Sequence, residues 1–284
     1  MAIPERFVKV AGGGNDFLLF EADGRSLSDE ERRRISRLCR RGLSVGADGA
    51  LFLSGGADGR IHLDYYNADG GLASFCANGT RCAARYAVTR RLAPDQELVL
   101  ETGWGNIGAR VSGESVTLAL PDVLVPDQPI LLDPQKPDRY TSAGLPVKGM
   151  PIHVGVPHLV IFVLGDLANL PIETLGPPLR RHPLLREGAN VNFVRVAGPQ
   201  RIEVRTWERG VEGETLSCGS GVVGSALVAA LRGHAELPIT CATKSGMDLV
   251  VSARTEGTVF TAIRLMGDAR EVFRAELTEE AWQE

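Results

Sequence analysis

The chain has 284 residues, 44% apolar and 23% charged, with a formal net charge of −4 and a pI near 5.8. That length supplies one large domain or two moderate ones, and the acidic balance points away from nucleic acid or other polyanions as partners. No basic-then-apolar signal pattern follows Met1 and no apolar run reaches membrane length, so the expected location is the cytoplasm, away from any membrane.

Residues 6–10 and 16–20 read as strands around the turn Gly12-Gly13-Gly14-Asn15. These glycines are not a GxGxxG fingerprint, and strand follows them, so they do not predict a nucleotide site. Ser28-Asp29-Glu30-Glu31 is a capping box opening a helix that should stop near Gly42, with Ile35, Leu38 and Cys39 inward. Strands follow at 50–53 and 61–66, then the turn Asn67-Ala68-Asp69-Gly70-Gly71. Phe75-Cys76-Ala77-Asn78-Gly79-Thr80-Arg81 leads into a helix reaching residue 90, with Cys82, Ala83, Tyr86 and Ala87 on one face. Strands at 97–102, 107–111 and 116–120 complete the first half.

Residues 121–146 are rich in proline and mark the expected boundary. Beyond it the order partly recurs, with strands at 150–154, 159–163, 192–196 and 202–207 and a short helix at 172–180. Ser217-Cys218-Gly219-Ser220-Gly221 then enters a helix that is apolar nearly all round from 222 to 231, the pattern of a buried helix, with Gly233 as its stop. Strands at 237–241, 248–253, 259–265 and 271–275 close the chain. The order is that of an α+β duplication, many strands around one helix that follows a cysteine in each half. The expected halves are 1–122, completed by 270–284, and 123–269.

Five cysteines, odd in number and widely spaced, argue for reduced thiols over a disulfide framework. No CxxC pair and no HExxH helix predicts a metal site. A lone cysteine beside glycines is most often a small buried hydrophobe, and Cys39, Cys82 and Cys241 are read so. Cys76 and Cys218 differ because each stands at a helix entrance. Free N–H groups and the partial positive charge there lower a thiol's pKa and can hold a carboxylate.

Asn67-Ala68-Asp69-Gly70 running into Cys76-Ala77-Asn78-Gly79-Thr80-Arg81-Cys82 resembles the first active-site motif of the diaminopimelate epimerase family. Glu208-Arg209-Gly210, Glu214-Thr215 and Cys218-Gly219-Ser220-Gly221 resemble the second. Gly14-Asn15-Asp16-Phe17, Gly46-Ala47-Asp48-Gly49, Gly155-Val156-Pro157-His158 and Asn190-Val191-Asn192-Phe193 are similar to further signatures, in the family's order. The resemblance implies two pseudo-symmetric halves, each a curled, mostly antiparallel, barrel-like sheet around a central helix, with the active site in the cleft between them. It implies epimerisation of LL-2,6-diaminopimelate to the meso form, in lysine and peptidoglycan synthesis, without a cofactor and without metal. Cys76 and Cys218 would be the two acid/base thiols. Ala77, Asn78, Gly219 and Ser220 would hold the α-carboxylate; Asn15, Asn67, Asn190, Glu208 and Arg209 would bind substrate; His158 and Glu208 would tune the thiols. The implied partner is a small amino acid, and a homodimer is compatible with the resemblance.

Two positions depart from the family pattern. Ala77 replaces the glycine of Cys-Gly-Asn-Gly, and Val156 replaces the asparagine of Gly-Asn-Pro-His, a contact to the substrate's far end. Val156 motivates an alternative, an epimerase of the same fold acting on another amino acid. A second alternative is a non-catalytic amino-acid-binding or redox-sensing protein.

Overall fold

The computed structural model describes residues 3–55, 60–93, 95–132 and 148–283. Much of the proline-rich stretch, Pro134 and Pro137 included, lies outside the described residues. The chain divides into two compact units, Met1–Ala119 with Met266–Glu284, and Leu120–Leu265. No helix among the described residues is long and apolar enough to cross a membrane.

The first unit opens with the antiparallel pair β1 (Arg6–Gly12) and β2 (Asn15–Glu21). Helix α1 (Asp29–Leu38) begins on the expected capping box, in which the Glu31 carboxylate accepts from the Ser28 N–H at 2.8 Å. It ends at Leu38, short of Gly42. Cys39 caps it, and the left-handed Gly42 and Gly46 (φ +80° and +77°) turn the chain into β3 (Gly49–Gly55). This crossover makes β3 parallel to β2. β4 (Ile61–Asn67) runs antiparallel to β3, and β5 (Leu72–Ala73) adds two residues to its edge. After α2 (Ala77–Thr89) come β6 (Glu97–Thr102), parallel to β4, then β7 (Gly105–Ser112) and β8 (Ser115–Leu120) as a meander. Helix α2 packs on β1, β2, β3, β4, β6 and β7, so the strands wrap around it.

The second unit holds β9 (Val123–Leu124), β10 (Ile130–Leu131), β11 (Lys148–Val154), β12 (Val156–Phe162), α3 (Ile172–Arg180), β13 (Asn190–Gly198), β14 (Arg201–Glu208), β15 (Gly213–Thr215), α4 (Gly219–Leu231), β16 (Ile239–Thr243), β17 (Asp248–Glu256) and β18 (Val259–Asp268) as far as Leu265. Its pairings repeat those of the first unit. β11–β12 is antiparallel, β12–β13 parallel, β13–β14 and β14–β15 antiparallel, β14–β16 parallel and β16–β17 antiparallel. Helix α4 is buried from Gly219 to Ala229 and packs on β11–β14, β16 and β17, which explains its apolar circumference. The last strand, β19 (Arg270–Glu276), pairs antiparallel with β1 and so belongs to the first unit.

The repetition extends to register. Phe17 pairs with Gly49 as His158 pairs with Asn190, and Leu51 pairs with Tyr65 as Asn192 pairs with Thr206. By the same register, Val156 opens β12 where Asn15 opens β2. Strands β12 and β13 start earlier than the sequence pattern suggested. The hairpin through Gly155 (φ +70°) pairs Val154 with Val156 and draws Val-Pro-His into the ladder, and Asn190 follows by pairing with His158.

Candidate active site

Both cysteines are helix N-caps in extended conformation, Cys76 at φ −139°, ψ 108° and Cys218 at φ −121°, ψ 107°. Extended backbone is what an N-cap needs, and it aims the side chain across the first helical turn. The Cys76 sulfur accepts the Gly79 N–H at 3.5 Å, and the Cys76 carbonyl accepts from both the N–H and the hydroxyl of Thr80 at 2.8 Å. The first N–H groups of an α-helix have no backbone partner inside the helix, so each entrance carries a partial positive charge. Ala77 is buried within the α2 run with no left-handed φ, so losing the family's glycine leaves that N–H in place.

Around the α2 entrance the structure joins two motifs far apart in sequence. Asn78 donates through Nδ2 to Asn15 Oδ1 at 2.6 Å, and Asn15 donates through Nδ2 to Asp48 Oδ2 at 2.9 Å. Arg41 bonds both Asp16 and Asp48, and Lys9 reaches Asp16 at 2.8 Å. Burial alone would raise the Asp16 carboxyl; the Arg41 and Lys9 hydrogen bonds outweigh it and hold the group below its usual range. On the other side of Asn78, the fully buried Arg81 donates to Oδ1 at 2.6 Å and through Nε to the Asp268 carbonyl at 3.2 Å. Asn15 and Asn78 are thus locked together. Asn67 ends β4 opposite Gly49, and its backbone closes the turn with Gly70 and Gly71.

Around the α4 entrance the arrangement is different. His158 Nε2 lies 2.9 Å from Ser220 Oγ, which lies 3.6 Å from the Cys218 sulfur. Behind His158, Asn192 Nδ2 is 3.2 Å from Nδ1, and the Thr206 hydroxyl donates to Asn192 Oδ1 at 3.0 Å. His158, Asn192, Thr206 and Ser220 are all buried. Burial pushes the His158 imidazole down to about 3, with His153 and Arg209 adding to the shift, so the ring is neutral across the physiological range. Asn190 accepts the Arg209 N–H at 2.7 Å, and the Arg209 guanidinium donates to the Glu187 carbonyl at 3.1 Å. Glu208, the last residue of β14, is half-buried. Sequence reasoning missed Asn192 and Thr206. The available signal was a polar residue two positions from Asn190, hence on the same face of a strand.

The remaining thiols stand apart. Burial pushes Cys39 and Cys82 up to about 12 and Cys241 higher still, and all three are in the core. A thiol raised that far is essentially all protonated at neutral pH and does not react. Brief alkylation of the folded protein with iodoacetamide is therefore expected to leave Cys39, Cys82 and Cys241 unmodified, while all five react in denaturant. Peptide mass spectrometry reads the result, and early labelling of Cys82 in folded protein would contradict it.

The chain matches the family model described as diaminopimelate epimerase over residues 7–119 and 150–272. It is 33% identical over 282 residues to the diaminopimelate epimerase of Caldanaerobacter subterraneus subsp. tengcongensis, covering 96% of this chain and 99% of that one. It is 37% identical over 273 residues to that of Archaeoglobus fulgidus, covering 94% of each. Among solved structures, a probable proline racemase from Agrobacterium radiobacter K84 shares the fold with a TM-score of 0.73 at 14% identity, over 96% of this chain and 93% of that one.

Proposed function

The chain belongs to the diaminopimelate epimerase family, and on that premise we propose that it interconverts LL- and meso-2,6-diaminopimelate with Cys76 and Cys218 as a two-base pair. The observation that carries the residue assignment is that these two thiols, and among the described residues no other cysteine, are N-caps of buried helices.

An amino-acid α-proton is very weakly acidic, so the carbanion needs strong stabilisation. One helix terminus contributes only about 0.3–2 kcal/mol toward a nearby anion. Preorganised N–H donors aimed at developing charge, with water excluded, contribute about 3–4 kcal/mol each. The N–H groups around Ala77, Asn78, Gly219 and Ser220 are the donors for the substrate α-carboxylate. One cysteine, as thiolate, takes the α-proton; the other, as thiol, gives its proton to the opposite face of the same carbon. The first ends as thiol and the second as thiolate, so the reverse reaction uses the same groups with roles exchanged. Asn15, Asn67, Asn190, Glu208 and Arg209 bind the rest of the substrate, and His158 and Glu208 set the thiols' protonation. The enzyme works in the cytoplasm on a small-molecule substrate, serving lysine and peptidoglycan synthesis.

The test is α-proton exchange and epimerisation in deuterated water, with LL- and meso-diaminopimelate beside a panel of other amino acids. Turnover confined to another amino acid would defeat the substrate assignment, and ligand binding with no exchange would defeat the catalytic one.

Val156 bears on substrate choice. It opens β12 with a half-buried apolar side chain where the family pattern has an asparagine. One neutral hydrogen bond is worth about 0.5–1.5 kcal/mol, at most about tenfold in affinity. Val156→Asn is therefore expected to change KM by less than about tenfold and kcat hardly at all, because the distal end of the substrate binds alike in ground and transition states. Steady-state kinetics checks this. Diaminopimelate turnover absent in wild type and created by Val156→Asn would make the position a specificity switch.

A further inference from the structure

One run of hydrogen bonds joins three motifs of the first unit, and it carries a charge at each end. Arg81, wholly buried, donates to Asn78 Oδ1 at 2.6 Å. Asn78 Nδ2 donates to Asn15 Oδ1 at 2.6 Å, and Asn15 Nδ2 donates to Asp48 Oδ2 at 2.9 Å. Asp48 Oδ2 also accepts the Asp16 N–H at 3.2 Å, and Arg41 holds Asp48 Oδ1 at 2.8 Å.

A side-chain amide can stand either way round in a slot of its shape, because its oxygen and nitrogen are nearly equal in size. Neither of these amides has that choice. A guanidinium only donates and an ionised carboxylate only accepts. Arg81 requires the oxygen of Asn78, which leaves the Asn78 nitrogen toward Asn15. Asp48 requires the nitrogen of Asn15, which leaves the Asn15 oxygen toward Asn78. The two ends impose the same order. Reversing either amide would set donor against donor at one of its bonds and acceptor against acceptor at the other.

Arg81 is a costly group to keep in this place. Its Nη1 is buried with no hydrogen-bond partner among the described residues, and burial works against its charge. The fifth residue of α4, as Arg81 is the fifth of α2, is the buried Val223, so an apolar side chain suits this position of the helix. What the guanidinium adds is reach in two directions. Nη2 holds Asn78, and Nε holds the Asp268 carbonyl at 3.2 Å.

We propose that Arg81 is a positioning residue for substrate binding: through Asn78 it holds the Asn15 amide in place, with the nitrogen on the Asp48 side. This role rests on the reading of Asn15 as a substrate residue and adds the group that sets it. Asn15 Nδ2 has two hydrogens, and Asp48 takes one. The other is a donor, the polarity that a substrate carboxylate needs. A reversed amide would present its oxygen instead and repel the carboxylate.

The experiment is steady-state kinetics on diaminopimelate of Arg81→Met and Arg81→Lys, each made with and without Asn78→Ala. Arg81→Met removes the donor to Asn78 and should lower kcat/KM about 10- to 100-fold. Most of the loss should lie in KM, because Asn15 binds the part of the substrate away from the reacting carbon. Arg81→Lys keeps the positive charge beside the α2 entrance but has one nitrogen in place of the guanidinium fork. It cannot hold Asn78 and the Asp268 carbonyl together, so it should lose most of what Arg81→Met loses, and it replaces Arg81→Met if that variant fails to fold. Once Asn78→Ala has removed the link, either Arg81 substitution should change kcat/KM by less than about threefold. A wild-type KM in folded Arg81→Lys would overturn the proposal and leave the charge alone as the role. An undiminished loss in the Asn78→Ala background would overturn it too, because Arg81 would then not act through Asn78. A substrate-free measurement runs beside the kinetics: hydrogen exchange of the side-chain amides in protein made with isotope-labelled asparagine. In Arg81→Lys the Nδ2 hydrogens of Asn15, two bonds along the run from Arg81, should exchange at least about tenfold faster. Unchanged exchange there would overturn the proposal. With no substrate present, that result stands whichever amino acid the enzyme turns over.

Discussion

Cys76→Ser and Cys218→Ser should each lose at least about 10²–10⁴ in epimerisation rate, the range over which a positioned acid or base contributes. A serine hydroxyl keeps the N-cap and the shape of the site but does not ionise near neutral pH. The fold should therefore survive, with a far-ultraviolet circular dichroism spectrum and melting temperature close to wild type. Cys39→Ala is the control; its thiol is buried beside α1 and pushed up to about 12, so its loss should touch stability but not turnover. Near-normal turnover in either active-site variant would refute the two-base scheme.

Gly221→Ala is expected to be far more damaging than Gly79→Ala, although both add one methyl at the third residue of equivalent helices. In Gly221→Ala the methyl would sit 2.2 Å from Asn192 Oδ1. Asn192 is wholly buried and held through Thr206, Leu159 and His158, so it has nowhere to go. Either the helix entrance backs away or the amide rotates and breaks the chain to Ser220. An overpacked site of this kind costs about 1–3 kcal/mol in stability. Displacing a catalytic group by about 1 Å costs a further ~10²-fold in rate. In Gly79→Ala the methyl would meet the end of Leu51 at 2.9 Å, an apolar tip that can shift by a rotamer change. Thermal melts and kcat/KM of the two variants decide the matter, and equal damage would show that the polar contact at Asn192 is not what makes Gly221 necessary.

The sequence carried much of the fold because its signals were local. The capping box at Ser28, the apolar circumference of α4 and the cysteines before two Gly-containing turns each fix an element within a few residues. β5 and β15 were invisible because two or three residues have no periodicity of their own; they exist by pairing with the ends of β4 and β14. The candidate site was legible wherever a side chain belongs to a cysteine motif, as with Asn78 and Ser220, which stand at the two helix entrances. It was not legible where function depends on register between strands. Asn192 and Thr206 become neighbours only once β13 and β14 are paired, and Leu51 and Tyr65 become their apolar counterparts only through the repeated topology. Amphipathic pattern says that a strand position faces inward; it does not say which residue of another strand it will meet.

The pairing of β19 with β1 imposes an order on biosynthesis. The unit carrying Cys218 is a continuous stretch, Leu120–Leu265, and all of it has been translated before β19 is made. The unit carrying Cys76 is not. Its β1 edge stays open, and Gly13 and Arg81 wait for Asp268, until the final segment emerges from the ribosome. Helix α4 can therefore bury itself while α2 still lacks part of its wrapping. A chain that stops before β19 therefore carries every strand of the Leu120–Leu265 unit but leaves the β1 edge of the other unit open.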